Sequence, residues 1–187
     1  IPYDFLRKRL TIVLAEGGDA ARHLVVTKGA FSNVVEICSQ VERDGALVPL
    51  TDAVTSELSA YYEAKGKAGY RVLGLATRTV TARGAYRRDD EAEMVFAGFL
   101  LFLDPPKADA ARVLGDLARL HVEVKVVTGD NRWVTGHLAE MVGLDPTSML
   151  TGDALAKLSD EALWHLAART SLFAEIDPQQ KERIVRA

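Results

Sequence analysis

The run Val122-Glu123-Val124-Lys125-Val126-Val127 empties into Thr128-Gly129-Asp130-Asn131, and Arg132 to Val142 then carries a helical apolar pattern. A β-branched strand that passes through a glycine turn straight into a helix is half of a parallel βα unit, which narrows the surroundings to an open α/β layer. Ligands bind at the carboxyl ends of such strands, and the next helix offers a phosphate its free N–H groups and positive dipole end. Thr128 is placed to donate to a phosphoryl oxygen, beside the permissive Gly129 and the carboxylate of Asp130. A plainer reading of the same residues makes Asp130 or Asn131 the helix cap and Gly129 only a turn.

The neighbouring segments keep this texture. Ala108 to Leu120 reads as a helix, and Asp160 to Ala168, Ser171 to Ile176 and the segment from Pro178 onward read as helix, strand and helix. Lys181 lies in the first turn after Asp177-Pro178, where a lysine beside strand ends could neutralise charge on a transferring phosphoryl group. Taken alone it reads as a solvated charge.

Upstream of Asp104-Pro105-Pro106 the pattern differs. Leu10 to Leu14 and His23 to Thr27 are apolar runs separated by Glu16-Gly17-Gly18-Asp19, a β-hairpin signature that Lys28-Gly29 closes. Ala30 to Gln40 shows a helical stripe of Phe31, Val34, Val35 and Cys38, and Ala46 to Leu50 reads as a short strand. Thr51 is placed to cap a helix running to about Lys67, with Gly69 after its end. Tyr70 to Arg78 and Val95 to Leu103 read as strands, and the polar segment Val80 to Glu93 as an exposed loop. The chain is therefore read as mixed α/β (α+β), with an antiparallel sheet and packed helices over residues 1–99 and parallel βα units over 100–187. Asp104-Pro105-Pro106 stops a strand and stiffens the connection between them.

A second constellation lies in the first half. Tyr3, Lys8, Lys28-Gly29-Ala30 and Arg71 supply an aromatic face, lysines, a glycine that admits close backbone approach and an arginine, which together could stack a base and hold phosphates. Each also has a structural reading: Tyr3 in the core, Gly29 in a turn, the cations solvated.

Composition excludes several classes. Of 187 residues 48% are hydrophobic, enough for real cores, and a net charge of −3 argues against a nucleic-acid partner. The single Cys38 cannot pair within the chain and fits a small packing residue in a reducing compartment. No stretch approaches the roughly 20 apolar residues of a membrane helix, so no direct membrane insertion by this chain is expected.

In order along the chain, Ile-Pro-Tyr-Asp-Phe-Leu-Arg-Lys-Arg-Leu from Ile1, Thr-Lys-Gly-Ala from Thr27, Ile-Cys-Ser-Gln-Val from Ile37, Phe-Leu-Asp-Pro-Pro-Lys from Phe102, Thr-Gly-Asp from Thr128 and Lys-Glu-Arg-Ile-Val from Lys181 resemble P-type cation-transporting ATPases, specifically their magnesium-transporting branch. The resemblance implies a nucleotide-binding domain over residues 1–99, in which Tyr3 stacks on adenine, Lys8, Lys28 and Gly29 line the pocket, and Arg71 reaches the phosphates. It implies part of a Rossmann-like, haloacid-dehalogenase-type phosphorylation domain over 100–187. There Thr128 contacts the phosphoryl group beside Gly129, Asp130 and Asp104 position nucleotide and domains, and Lys181 stabilises the aspartyl phosphate. ATP and Mg2+ are the implied cofactors. The remaining domains and membrane helices of a parent protein are the implied partners, at the cytoplasmic face of the plasma (inner) membrane.

The family's Asp-Lys-Thr-Gly-Thr nucleophile motif and its Gly-Asp-Gly-x-Asn-Asp loop do not occur here. The chain is therefore expected to be an excised piece, lying between those motifs, that does not hydrolyse ATP by itself. Glu175 stands where many members carry arginine, and Phe5 beside Tyr3 leaves open which ring meets the base. A calcium or proton transporter is the alternative within the family. A free-standing phosphatase would need an Asp-x-Asp motif that is missing, and a non-catalytic nucleotide-binding module would have no use for Thr128 and Lys181 in register.

Overall fold

The structure is a computed structural model that describes residues 1–4, 6–16 and 19–187, without the side chains of Glu16, Asp19 and Ala20. The Gly17-Gly18 turn and the ring of Phe5 thus lie outside the described residues. Two compact units are present, one comprising Ile1–Tyr62 with Val72–Phe102, the other Glu63–Arg71 with Leu103–Ala187.

The first unit is built on a six-stranded sheet. Its strands are β1 (Arg9–Glu16), β2 (Asp19–Ala30), β3 (Cys38–Arg43), β4 (Ala46–Pro49), β5 (Tyr70–Thr81) and β6 (Met94–Leu103), in the order β1-β2-β5-β6-β3-β4. The expected hairpin is β1 and β2, antiparallel, and β5 extends it on the far side of β2. Register decides what each face carries. Thr11, Thr27 and Ala76 lie directly opposite one another, as do Leu10, Lys28 and Leu75. Opposed residues share a face, and faces alternate along a strand. The first row is buried, at 2%, 0% and 0% exposure, so the apolar Ile12 and Leu14 of β1 turn partly to solvent while a threonine goes inside.

The core of this unit gathers Val25, Val34, Val41, Ala76, Met94 and Phe96. Phe31 stacks on Tyr62 at 5.0 Å between ring centres, and Phe96 meets Phe99 edge-on at 5.1 Å. The apolar stripe after Ala30 is only one helical turn, α1 (Phe31–Val35), and Cys38 already opens β3. Two neighbours override the helical period: β3 pairs antiparallel with β4 and parallel with β6. Lys28 and Gly29 likewise lie within β2, paired with Leu10 and Arg9, and do not close the hairpin. Burial pushes the Cys38 thiol up to about 12, against the opposing pull of Arg9, and the sulfur donates to the Val34 carbonyl at 3.1 Å. A thiol so disposed packs rather than reacts. Helix α2 (Asp52–Lys67) starts where Thr51 accepts from the Val54 N–H, and Gly69 at φ +84° follows its end.

The second unit contains three parallel strands, β7 (Val126–Val127), β8 (Met149–Thr151) and β9 (Leu172–Ala174), in the order β7-β9-β8. Its helices are α3 (Ala110–Arg119), α4 (Arg132–Val142), α5 (Gly152–Ala156), α6 (Asp160–Ala167) and α7 (Pro178–Arg186). The central β9 is wholly inaccessible, as a parallel strand covered on both faces should be. Its Phe173 packs among Leu155, Leu163, Ile176 and Ile184. Only two residues of the expected strand 122–127 pair with β9. Just before them the Lys125 ammonium donates to the carbonyls of Ala167 (2.7 Å) and Thr170 (3.0 Å), where α6 ends and its dipole is negative. Strand β8 and helix α5 were not anticipated.

Candidate functional site

In the second unit, Thr128 leaves β7 with its N–H bonded to the Phe173 carbonyl (2.9 Å), and its own carbonyl accepts from Ile176 (3.0 Å). The Asp130 carbonyl accepts from the N–H of Glu175 (2.8 Å), so the Thr-Gly-Asp turn is stitched to the carboxyl end of β9. The Thr128 hydroxyl donates to the Asp130 carboxylate and accepts from the Asp130 N–H, both at 3.1 Å. Helix α4 is capped by Asn131, which accepts from Val134 at 2.9 Å, so the Asp130 carboxylate is not the cap. Arg71, at the start of β5, belongs to this unit, and its Nε lies 3.5 Å from Asp130. Asp177 and Gln180 form a reciprocal capping box at the start of α7, with Pro178 in the first turn. That cap fixes the turn carrying Lys181, which is exposed and makes no ion pair among the described residues. Asp104 is exposed in the irregular segment before α3, whose cap position is taken by Asp109.

Glu175 turns out to have a defined partner. At φ +61° it receives the Arg132 side chain through Nε and Nη2, each at 3.2 Å, and also the Arg132 backbone N–H. The acid is thus matched by a cation on the first turn of α4.

In the first unit, Lys28 is exposed on the outer face of β2, opposite Leu10 and Leu75, while Gly29 is buried. A Cβ on Gly29 would collide with the Lys8 carbonyl and stand 2.6 Å and 2.7 Å from Cβ and Cα of Arg9. The glycine therefore sets how closely the Lys8-Arg9 backbone approaches β2. Lys8 is exposed, has φ +48°, and its carbonyl accepts from Ala30 at 2.9 Å. Tyr3 is 51% exposed and so is not a core residue.

Sequence reasoning missed the group behind this surface. The segment 80–93 is largely exposed as expected, but Glu91 within it is 3% exposed. One oxygen of its carboxylate takes Arg7 Nη1 and Arg9 Nε (3.0 Å), and the other takes the Thr11 hydroxyl (2.7 Å), which also bonds Thr27 (2.7 Å). The period-two row Arg7, Arg9, Thr11, running from the preceding turn into a largely apolar strand, was the available signal. Burial raises the Glu91 pKa, but the bonds from Arg7, Thr11 and Arg9 outweigh it and leave it below the ordinary 4.5. Its stabilising contribution is then complete above the unfolded value near 4.5 and is lost as pH falls through the lower folded value. Asp4, held low by the Arg7 and Leu6 N–H groups, and Asp90, held low by the Arg87 N–H, titrate in the same direction. The difference in melting temperature between the wild type and Glu91→Gln should therefore shrink below pH 4.5; a difference independent of pH would contradict the charged pairing.

Comparison with known proteins follows the same line. The family described as "P-type ATPase, cytoplasmic domain N" matches residues 1–109. The chain is 40% identical over 186 residues to "Magnesium-transporting ATPase, P-type 1" of Salmonella typhimurium and 39% identical to the protein of that name from Escherichia coli, in each case over 99% of this chain and 20% of the relative. It is 32% identical over 200 residues to "Probable cation-transporting ATPase F" of Mycobacterium bovis, over 100% of this chain and 21% of that protein. The chain thus spans about a fifth of the length of these relatives. With more than half its residues inside the family match, the chain belongs to the P-type ATPases, to which it contributes a cytoplasmic domain N.

Proposed function

We propose that residues 1–99 serve as most of an adenine-nucleotide-binding domain and residues 100–187 as part of a phosphorylation domain. The parent P-type ATPase would couple ATP hydrolysis, through an aspartyl phosphate, to cation transport. In this reading Tyr3 stacks on the base, Lys8, Lys28 and Gly29 form the pocket, and Arg71 reaches the phosphates. Thr128 meets the phosphoryl group beside Gly129, Lys181 neutralises its charge, and Asp130 and Asp104 help position nucleotide and domains. The observation that carries it is Lys28, an exposed cation without an ion pair among the described residues, held on a half-apolar sheet face between Leu10 and Leu75. A lysine on an apolar platform suits a ligand with a flat base and a polyphosphate.

Among the described residues no group of three His, Cys, Asp or Glu side chains is placed to hold a metal ion. Mg2+ therefore enters as the companion of ATP. When bound with ATP it would offset charge on the phosphates, while Lys8, Lys28 and Arg71 of this chain would bind and orient the nucleotide. Magnesium as the transported ion rests on the relatives at 39–40% identity; the 32% relative, named only for a cation, supports the broader reading that includes calcium or protons. Among the described residues no helix is long and apolar enough to cross a membrane. The match to a cytoplasmic domain N supports a place on the cytoplasmic face, with the parent's other domains and membrane helices as partners.

Titration of the labelled chain with MgATP, followed by NMR, tests the pocket. Lys28→Ala should weaken binding about tenfold, the scale of one charge-assisted contact, and neither form should release phosphate above background. Unchanged affinity would remove Lys28 from the site.

A further inference from the structure

The proposed function leaves one buried ionisable group unused. The Glu91 side chain is 0% exposed, yet it is an anion on the inner side of the sheet whose outer face carries Lys28. Its two guanidinium partners flank a single residue, Lys8, whose own side chain is exposed. Lys8 holds a left-handed backbone, which a non-glycine residue keeps only where its surroundings over-determine it.

Those surroundings are on view. The Lys8 N–H donates to the Asp4 carbonyl at 2.7 Å, and the Asp4 carboxylate accepts the N–H groups of Leu6 (2.8 Å) and Arg7 (3.2 Å). Arg88, three residues before Glu91, pairs with Asp4 at 2.9 Å, and Arg9 further donates to the Asn33 carbonyl at 2.9 Å. The other charges facing the cluster are Asp4 near Arg7 (3.8 Å) and Glu36 near Arg9 (3.6 Å). The loop bearing Glu91 thus grips the chain on both sides of Lys8. A buried carboxylate cannot release its cations without being stranded, so the grip is firm.

We infer that Glu91 is a positioning residue for nucleotide recognition, acting through Arg7 and Arg9 to hold Lys8 in the conformation that presents its ammonium to the ligand. This rests on the reading of Lys8 and Lys28 as nucleotide contacts. Simple electrostatics makes the opposite forecast: removing an anion from behind a cationic pocket should tighten the binding of an anionic ligand.

The sign of the effect therefore decides. In the same MgATP titration, Glu91→Gln should bind about tenfold more weakly, and the Lys8 HN–Hα coupling should leave its left-handed value. Met94→Ala, at another fully buried position of the same unit, provides a stability-matched comparison and should keep affinity within about twofold. Glu91→Gln affinity equal to or tighter than wild type, an unchanged Lys8 coupling, or an equal loss in Met94→Ala would overturn the inference. Should Glu91→Gln not fold, Arg7→Gln, at a partly exposed position, is read in the same way, with about threefold weaker binding expected and wild-type affinity and coupling overturning the role. If MgATP moves neither Lys8 nor Lys28 in the wild type, the nucleotide reading fails by itself; the Lys8 coupling in Glu91→Gln then still supports or overturns Glu91 as the holder of this turn.

Discussion

Gly29→Ala should lower the stability of the first unit by about 1–3 kcal/mol and weaken nucleotide binding with it. The added methyl group would meet main chain and not the flexible end of a side chain: the Lys8 carbonyl, and Cα and Cβ of Arg9 at 2.7 Å and 2.6 Å. Relief requires β1 to move away from β2 at the point where Ala30 donates to Lys8 and Arg9 reaches Glu91. For a unit of this size each kcal/mol corresponds to a fall of about 4–8 °C in Tm. Thermal unfolding and MgATP titration should therefore change together. A variant that melts and binds like the wild type would mean that the edge strand yields freely, and that Gly29 has no part in shaping the pocket.

Phe173→Ala should cost the second unit about 3–5 kcal/mol, the usual penalty for emptying an aromatic site in a packed core. Phe173 is 0% exposed on the central strand, with Leu155, Leu163, Ile176 and Ile184 around it. Its carbonyl also anchors the N–H of Thr128. Since whole domains are stable by only about 5–15 kcal/mol, the loss should appear in hydrogen exchange as faster exchange of the amides of Val126, Thr128 and Ile176. A loss below about 1 kcal/mol would indicate that the surrounding helices close over the cavity.

The parts of the fold written in local chemistry were legible. Helix α4 runs over the expected residues because Asn131 caps it and Gly143 ends it in the left-handed region, at φ +78°. Helix α7 starts where Asp177-Pro178 says it should. What was not legible depended on distant partners. Glu91 lies in a polar, aperiodic stretch, and the arginines that bury it are 82 and 84 positions away. The strand character of Cys38–Arg43 is imposed by β4 and β6, and the inward turn of Thr11 by register with Thr27. The turn geometry of the contiguous Thr128, Gly129 and Asp130, the proposed phosphoryl site, was readable from one stretch of chain. The match of Glu175 to Arg132 was not, because an acid replacing a base says nothing about which cation will answer it.

The Thr128 hydroxyl has one proton, and in this structure it is given to Asp130. If Thr128 meets a phosphoryl oxygen as proposed, that oxygen cannot simply add a contact; it must displace the carboxylate as acceptor. Its gain is the difference between two hydrogen bonds, and a bare Asp130 left beside a phosphate would turn that difference unfavourable. A cation able to neutralise Asp130 changes the sign, and Arg71 already stands 3.5 Å from it. On the proposed reading, recognition at this turn is therefore an exchange of partners, conditional on where the arginine is.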